Sequence, residues 1–232
     1  MTSTTSVPPA AGNRAVRERS RMKILSAAKE LFLEDGYDGV NLERIAMHAG
    51  VARQTVYNRF GSKDAVFRAV MELHWDGLAP DALPSRLAAE LEGSADPAAF
   101  LRRFSQVLLD FIDETGQIAF TRLVIAESRR APWIAEEFYR LGKEPLLRAF
   151  VACLQRMGED GSLDCPHPEL AAHQFLGLIQ ELILWPRVMA VPTDRMDIPP
   201  TSTIVDEAIA TFLSRYGITP TPDRRGRSSL PG

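Results

Sequence analysis

Apolar residues recur at intervals of three and four along most of this chain, with no sustained stretch of strict alternation, so the pattern predicts helices throughout. Ile24, Leu25, Ala28, Leu31 and Phe32 mark a first helix that ends at Gly36. Leu42, Ile45, Ala46 and Ala49 mark a second, short one, with Asn41 placed to cap it. Gly50 can take a left-handed backbone at no steric cost, which turns the chain within about three residues into a third helix carrying Val56 and Phe60 on its inner side. The segment Asn41 to Phe60 therefore reads as a helix-turn-helix whose outward side holds Arg53, Gln54, Thr55, Tyr57 and Asn58. A fourth helix starts behind Ser62, a natural cap, with Val66, Phe67, Val70 and Leu73 inward. His74 and Trp75 at its end read as packing residues between two domains.

The remainder repeats the helical pattern. Pro80 to Pro97 is a helix end and connection; Phe100, Phe104, Val107, Leu108 and Phe111 form one stripe; a helix follows from Ile118 to about Arg130. The next opens at Pro132, and Gly142 and Pro145 within it predict a kink or break near Pro145. After a loop, an apolar helix runs from Pro168 to about Trp185 and a last one from about Thr203 to Tyr216. The expected fold is all-α: a three-helix helix-turn-helix domain over 14–62, a larger helical domain over 63–217, and disordered tails over 1–13 and 218–232, both rich in Pro, Gly and Ser or Thr.

Charge sharpens this division. The net charge is −3, but residues 1–70 hold 11 Lys+Arg against 7 Asp+Glu, and the rest hold 16 against 23. The basic part is the part with the helix-turn-helix, which points to nucleic acid there and leaves the acidic remainder for another task. Arg14, Arg17 and Arg21, with Arg19 and Lys23, form a cluster just before it and are expected to contact phosphate, reaching towards a minor groove. Lys63, at the tip of the fourth helix, is expected to grip phosphate beside the terminal amides.

The run IAMHAGVARQTVYNRFGSKDAVFRAV resembles the DNA-binding domain of TetR-type transcriptional regulators over about residues 14 to 75. The resemblance implies base or phosphate contacts from Gln54, Thr55, Tyr57 and Asn58, and phosphate contacts from Asn41 and Lys63. Ala52 stands where the family often has Ser or Thr, removing a phosphate-binding hydroxyl that Arg53 is placed to replace; Arg59 stands where His is frequent. The run AFTRLVIAESRRAPWIAEEFY is similar to the ligand-binding domains of AcrR-like regulators.

A regulator of this type needs a cavity for a small molecule. Phe104, Leu108, Phe111, Trp133, Phe138 and Trp185 are the apolar candidates for its lining, and Glu127 and Gln180, polar on apolar helices, are the candidates for orienting a ligand; core packing is the alternative role for the aromatics. Phe175, Ile179, Leu182 and Ile183, with Ile209, Phe212 and Leu213, make the last two long helices more apolar than a surface tolerates. Part of that stripe belongs to an intrachain core, and the resemblance implies that the rest meets a second copy in a four-helix bundle. The expected partners are thus double-stranded operator DNA, a small-molecule effector and a homodimer mate.

Other chemistry finds little support. Cys165, His167 and His173 lack the paired spacing of a zinc site, no Gly-rich phosphate loop, GxSxG or HExxH occurs, and no cofactor or catalytic group is expected. The run Phe175 to Val191 is broken by Gln180, Glu181, Pro186 and Arg187 and is a poor membrane span. Two cysteines and no apolar leader make a reducing cytoplasm the expected compartment.

Overall fold

A computed structural model describes residues 11–76, 96–192 and 196–218, with side chains from residue 14. These residues are all-α; one isolated bridge pairs Leu163 with Gly217. In chain order the helices are α1 (Ala11–Asp35), α2 (Leu42–His48), α3 (Arg53–Phe60), α4 (Lys63–Trp75), α5 (Pro97–Glu114), α6 (Gln117–Ser128), α7 (Pro132–Phe138), α8 (Glu144–Glu159), α9 (Pro168–Ile183), the single turn α10 (Trp185–Val188) and α11 (Thr201–Tyr216). Among the described residues no helix is long and apolar enough to cross a membrane.

The described residues pack as two compact units, 11–76 with 111–145, and 96–110 with 146–192 and 196–218. The first unit runs past the boundary expected at 62/63, because α4 packs along α1 and because α6 and α7 close over the same core. That core joins Ile24, Leu25 and Phe32 of α1 to Ile45 of α2, Val56 of α3, Val66, Phe67 and Met71 of α4, and Phe120 and Ile134 of α6 and α7. His74 and Trp75 pack inside this unit, against Phe111, Phe120 and Phe138.

The second unit is built on a run of rings. Phe104 lies flat on Phe150, centroids 4.0 Å apart, Phe150 meets Phe175 at 5.7 Å, Phe175 meets Phe212 edge-on at 5.4 Å, and Phe212 meets Tyr216 at 4.8 Å. These rings come from α5, α8, α9 and α11, so burying them fastens the four helices together.

Three local outcomes differ from the sequence reading. α1 begins at Ala11, so the arginine cluster lies inside the helix instead of preceding it, and the last residues expected to be a tail form its first turn. α7 and α8 form one continuous helix, with a wide π turn over Tyr139–Lys143 just before Pro145. The wider turn takes up the steric demand and missing N–H of the proline, so where a kink or break was expected the helix carries a bulge and continues. Gly142 in that turn is buried against an indole; a Cβ there would stand 2.0 Å from Cε2 of Trp75. The final helix also opens two residues earlier than expected, at Thr201. The expected connection between Pro80 and Pro97 lies almost wholly outside the described residues, as do residues 1–10 and 219–232.

Candidate nucleic-acid interface

The residues expected at a nucleic-acid interface lie on α2, α3 and the N-terminal ends of α1 and α4. Asn41 adopts extended backbone and its Oδ1 accepts the Arg44 amide at 2.9 Å, capping α2 and leaving the NH2 group of its exposed side chain outside the cap. Gly50, at φ 65°, makes the turn, held by the Val51 amide donating to the Ala46 carbonyl at 3.0 Å. Val56 is wholly buried and Phe60 partly so, which fixes the rotation of α3 and leaves Arg53, Gln54, Tyr57 and Asn58 exposed, with Thr55 half-buried beside them.

This face is ordered by its own contacts. Gln54 Nε2 donates to Asn58 Oδ1 at 2.6 Å, so two amides one turn apart are aligned as a pair. Arg53 pairs with Glu43 of α2 at 2.5 Å, and its guanidinium stands 5.7 Å from the Tyr57 ring centre. Ala52 caps α3 with no side-chain hydrogen bond, so the absent hydroxyl leaves the first amides of the helix uncapped by any side chain.

Arg14 and Arg17 are exposed on the first turns of α1, and Arg21, half-buried, pairs with Glu18 at 3.4 Å. Arg59 donates to the Arg17 carbonyl at 2.6 Å, which ties the end of α3 to the basic part of α1. Lys63 is turned inward: Nζ donates to the Tyr37 carbonyl at 2.9 Å and lies 4.2 Å from the centre of that ring. Tyr37 therefore belongs to the site although its sequence position, just past a helix stop, carries no signal of it.

The eight effector candidates divide evenly between the units. In the first, Phe111 stacks on Trp75 at 5.2 Å, Phe138 meets Trp75 edge-on at 5.0 Å, and Trp133 meets Tyr37 and Phe67 edge-on with Arg68 4.4 Å above its ring. Glu127 accepts the Tyr37 amide at 3.1 Å. In the second, Phe104 and Leu108 are buried, Gln180 is half-buried and Trp185 is exposed. The rings of the first unit thus pack as core, and Glu127 serves the backbone of a loop.

Sequence reasoning missed a buried polar chain in the first unit. Lys29 Nζ donates to the Thr115 carbonyl at 3.1 Å and stands 3.4 Å from His74 Nδ1; His74 Nε2 is 2.6 Å from Gln117 Oε1; Gln117 Nε2 donates to Thr121 Oγ1 at 3.0 Å. With Gln117 donating onward and Lys29 donating inward, the imidazole fits as the neutral tautomer that carries its proton on Nε2. Burial pulls the His74 pKa down to about 4, against an opposing pull from Gln117, and burial also lowers that of Lys29.

Of the residues expected at a dimer interface, Phe175, Ile179, Ile183, Ile209 and Phe212 are buried in the second unit's own core. Leu182 is exposed and Leu213 half-buried. Leu182 joins Leu178, Gly177, Glu181, Thr211 and Arg215 along an open groove of about 780 Å³ between α9 and α11.

Comparison with known proteins supplies the wider frame. Residues 24–70 match the family described as bacterial regulatory proteins, tetR family, and residues 99–218 match the AefR-like transcriptional repressor C-terminal domain. The transcriptional activator FasR of Mycolicibacterium smegmatis is 33% identical over 106 residues, a match that spans 46% of this chain and 46% of that one. A TetR-family transcriptional regulator from Mesorhizobium loti is similar in structure, with a TM-score of 0.73 and 25% identity over 87% of this chain and 98% of that one. The flavonoid-responsive regulator FrrA follows with a TM-score of 0.67 and 25% identity, covering 86% of this chain and 98% of its own.

Proposed function

Since the chain belongs to the tetR family of bacterial regulatory proteins, a family of DNA-binding transcriptional regulators, we propose that it is a repressor that binds a two-fold symmetric operator as a homodimer and leaves it when a small, largely apolar effector binds. The observation that carries this reading is the exposed face of α3, where the Gln54–Asn58 pair, Arg53 and Tyr57 are held in fixed register by the burial of Val56.

A face of that kind suits the major groove. Paired amides can read the edge of an adenine bidentately, and an arginine beside them can read guanine or neutralise phosphate. Two such helices about 34 Å apart would enter successive major grooves on one side of the duplex. An effector with higher affinity for a state of different spacing shifts the protein off DNA by that difference in affinity alone; a 100-fold change needs about 2.7 kcal/mol of coupling.

The test is selection of binding sites from random DNA by the wild-type chain and by Gln54→Ala. A changed base preference at one position of each half-site is expected, and an identical profile would remove Gln54 from the readout. Tyr57→Ala and Lys63→Ala are expected instead to weaken binding on all sequences and flatten its salt dependence. FasR is a transcriptional activator, so the sign of regulation is measured separately, with a reporter placed behind the selected site. Repression in the absence of effector supports a repressor, and activation supports an activator.

A further inference from the structure

Between α1 and α2 the chain passes through Tyr37 on its way to the Asn41 cap, and every polar group of that residue is engaged by a different element of the first unit or a different residue of α4. The amide donates to Oε1 of Glu127 in the last turn of α6, at 3.1 Å. The hydroxyl donates to Asp64 in the first turn of α4, and the carbonyl accepts from Lys63, the first residue of α4, at 2.9 Å. The ring meets Trp133 of α7 edge-on at 5.7 Å and Phe67 of α4 at 5.2 Å. One residue on, Asp38 lies 3.9 Å from Arg130, which follows α6.

Tyr37 is 8% exposed, and its amide bond to Glu127 is part-buried. If the Glu127 carboxylate withdrew, a part-buried donor would lose its partner, and the loop that carries Asn41 and receives Lys63 would shift to satisfy it. The bond to a charged acceptor is the stronger kind, which makes this a stiff link and not a passing contact. Glu127 is placed at the end of α6, outside the helix-turn-helix, so whatever displaces α6 reaches the DNA-contacting face through it.

We propose that Glu127 is a positioning residue for DNA binding: by holding the Tyr37 amide it sets the α1–α2 loop, and with it the Asn41 cap and the Lys63 tip of α4, in the geometry that fits the operator. The role rests on the chain being a DNA-binding regulator, and it sets Glu127 to work away from any effector.

The experiment uses the full chain and the DNA that the wild type selects from a random library. Glu127→Ala is expected to lower affinity for that DNA about tenfold. Amide hydrogen exchange at Tyr37 to Leu42 is expected to speed up while that of the α4 core does not. Glu127→Gln keeps an oxygen at the same reach and is expected to recover most of the affinity; Glu127→Asp keeps the charge but falls short of the amide and is expected to lose as much as Ala. Should Glu127→Ala not fold, the Gln and Asp pair decides, because packing alone predicts no gap between them. Wild-type affinity in Glu127→Asp, or equal losses in Gln and Asp, would overturn the positioning role alone. Failure of the wild type to select any DNA would overturn the regulator reading and this role with it.

Discussion

Gly142 shows how a single missing side chain can set the packing of a whole region. The Trp75 ring lies against its Cα, and an added Cβ would stand 2.0 Å from Cε2, well inside contact distance. Gly142→Ala must therefore displace the indole or open the π turn, and overpacking of this kind costs about 1–3 kcal/mol. A fall in thermal midpoint, with a changed tryptophan emission, is the expected readout. Trp75 is a sensitive reporter because its Nε1 is the buried side-chain polar atom without a hydrogen-bond partner among the described residues. His74, next to it, makes a second prediction. Its neutral form is accommodated by Lys29, Gln117 and the ring of Phe120, 4.2 Å away, whereas a charged form would sit buried beside the Lys29 ammonium. The folded pKa is about 4 against an ordinary 6.5. The folded state thus binds the proton less readily than the unfolded chain, so the stabilising contribution is complete above pH 6.5 and is lost as pH falls towards 4, on the order of 3 kcal/mol in all. Thermal unfolding between pH 7 and pH 4.5 should show the loss, and His74→Asn should remove that part of the pH dependence while lowering stability at pH 7.

At the scale of the element, α3 offers a prediction that concerns the helix itself. Its cap is Ala52, which accepts no amide through a side chain, whereas α2 and α4 have Asn41 and Ser62 bonded to the amides of Arg44 and Ala65. Ala52→Ser should stabilise the first unit by about 1 kcal/mol in denaturant unfolding. It should also raise operator affinity if the hydroxyl meets phosphate. Such features were readable from the sequence, because capping and apolar spacing act within a few residues: the caps, the turn at Gly50 and the buried Val56 all follow from local chemistry. What was not readable depends on partners far along the chain. Tyr37 and Glu127 are 90 residues apart, and nothing near either marks them as a pair. The start of α1 was misplaced because Ala11, Gly12 and Asn13 have the composition of a tail, yet continue the helix nucleated by the buried Ile24, Leu25 and Phe32. Near Pro145, where a kink or break is expected, a widening of the preceding turn keeps the helix continuous.

For the whole molecule, the apolar excess of α9 raises a question that spacing could not answer, since a helix apolar on two sides does not say which side its own core takes. Packing places Phe175, Ile179 and Ile183 inward, four residues apart, and leaves Leu178 and Leu182 on the neighbouring stripe of the helix, 39% and 37% exposed. They line the groove between α9 and α11 with Glu181 and Arg215, polar groups that suit the rim of an interface around an apolar centre. On the homodimer reading it is this outer stripe that a second copy covers, while the inner residues act only by keeping the two helices in place. The two stripes therefore separate assembly from folding. Leu178→Glu combined with Leu182→Glu places carboxylates at positions already open to water, so helicity and thermal stability of the isolated chain should change little. If a two-fold mate sits on that stripe, the four like charges brought together would halve the mass measured by sedimentation and abolish binding to a two-half-site operator, with weak binding to a single half-site retained. Ile179→Ala is the opposing control: it removes a side chain 1% exposed in the core, costs about 2–5 kcal/mol of folding stability, and should leave the mass unchanged wherever the protein remains folded. A double variant that stays dimeric would place the mate on another face.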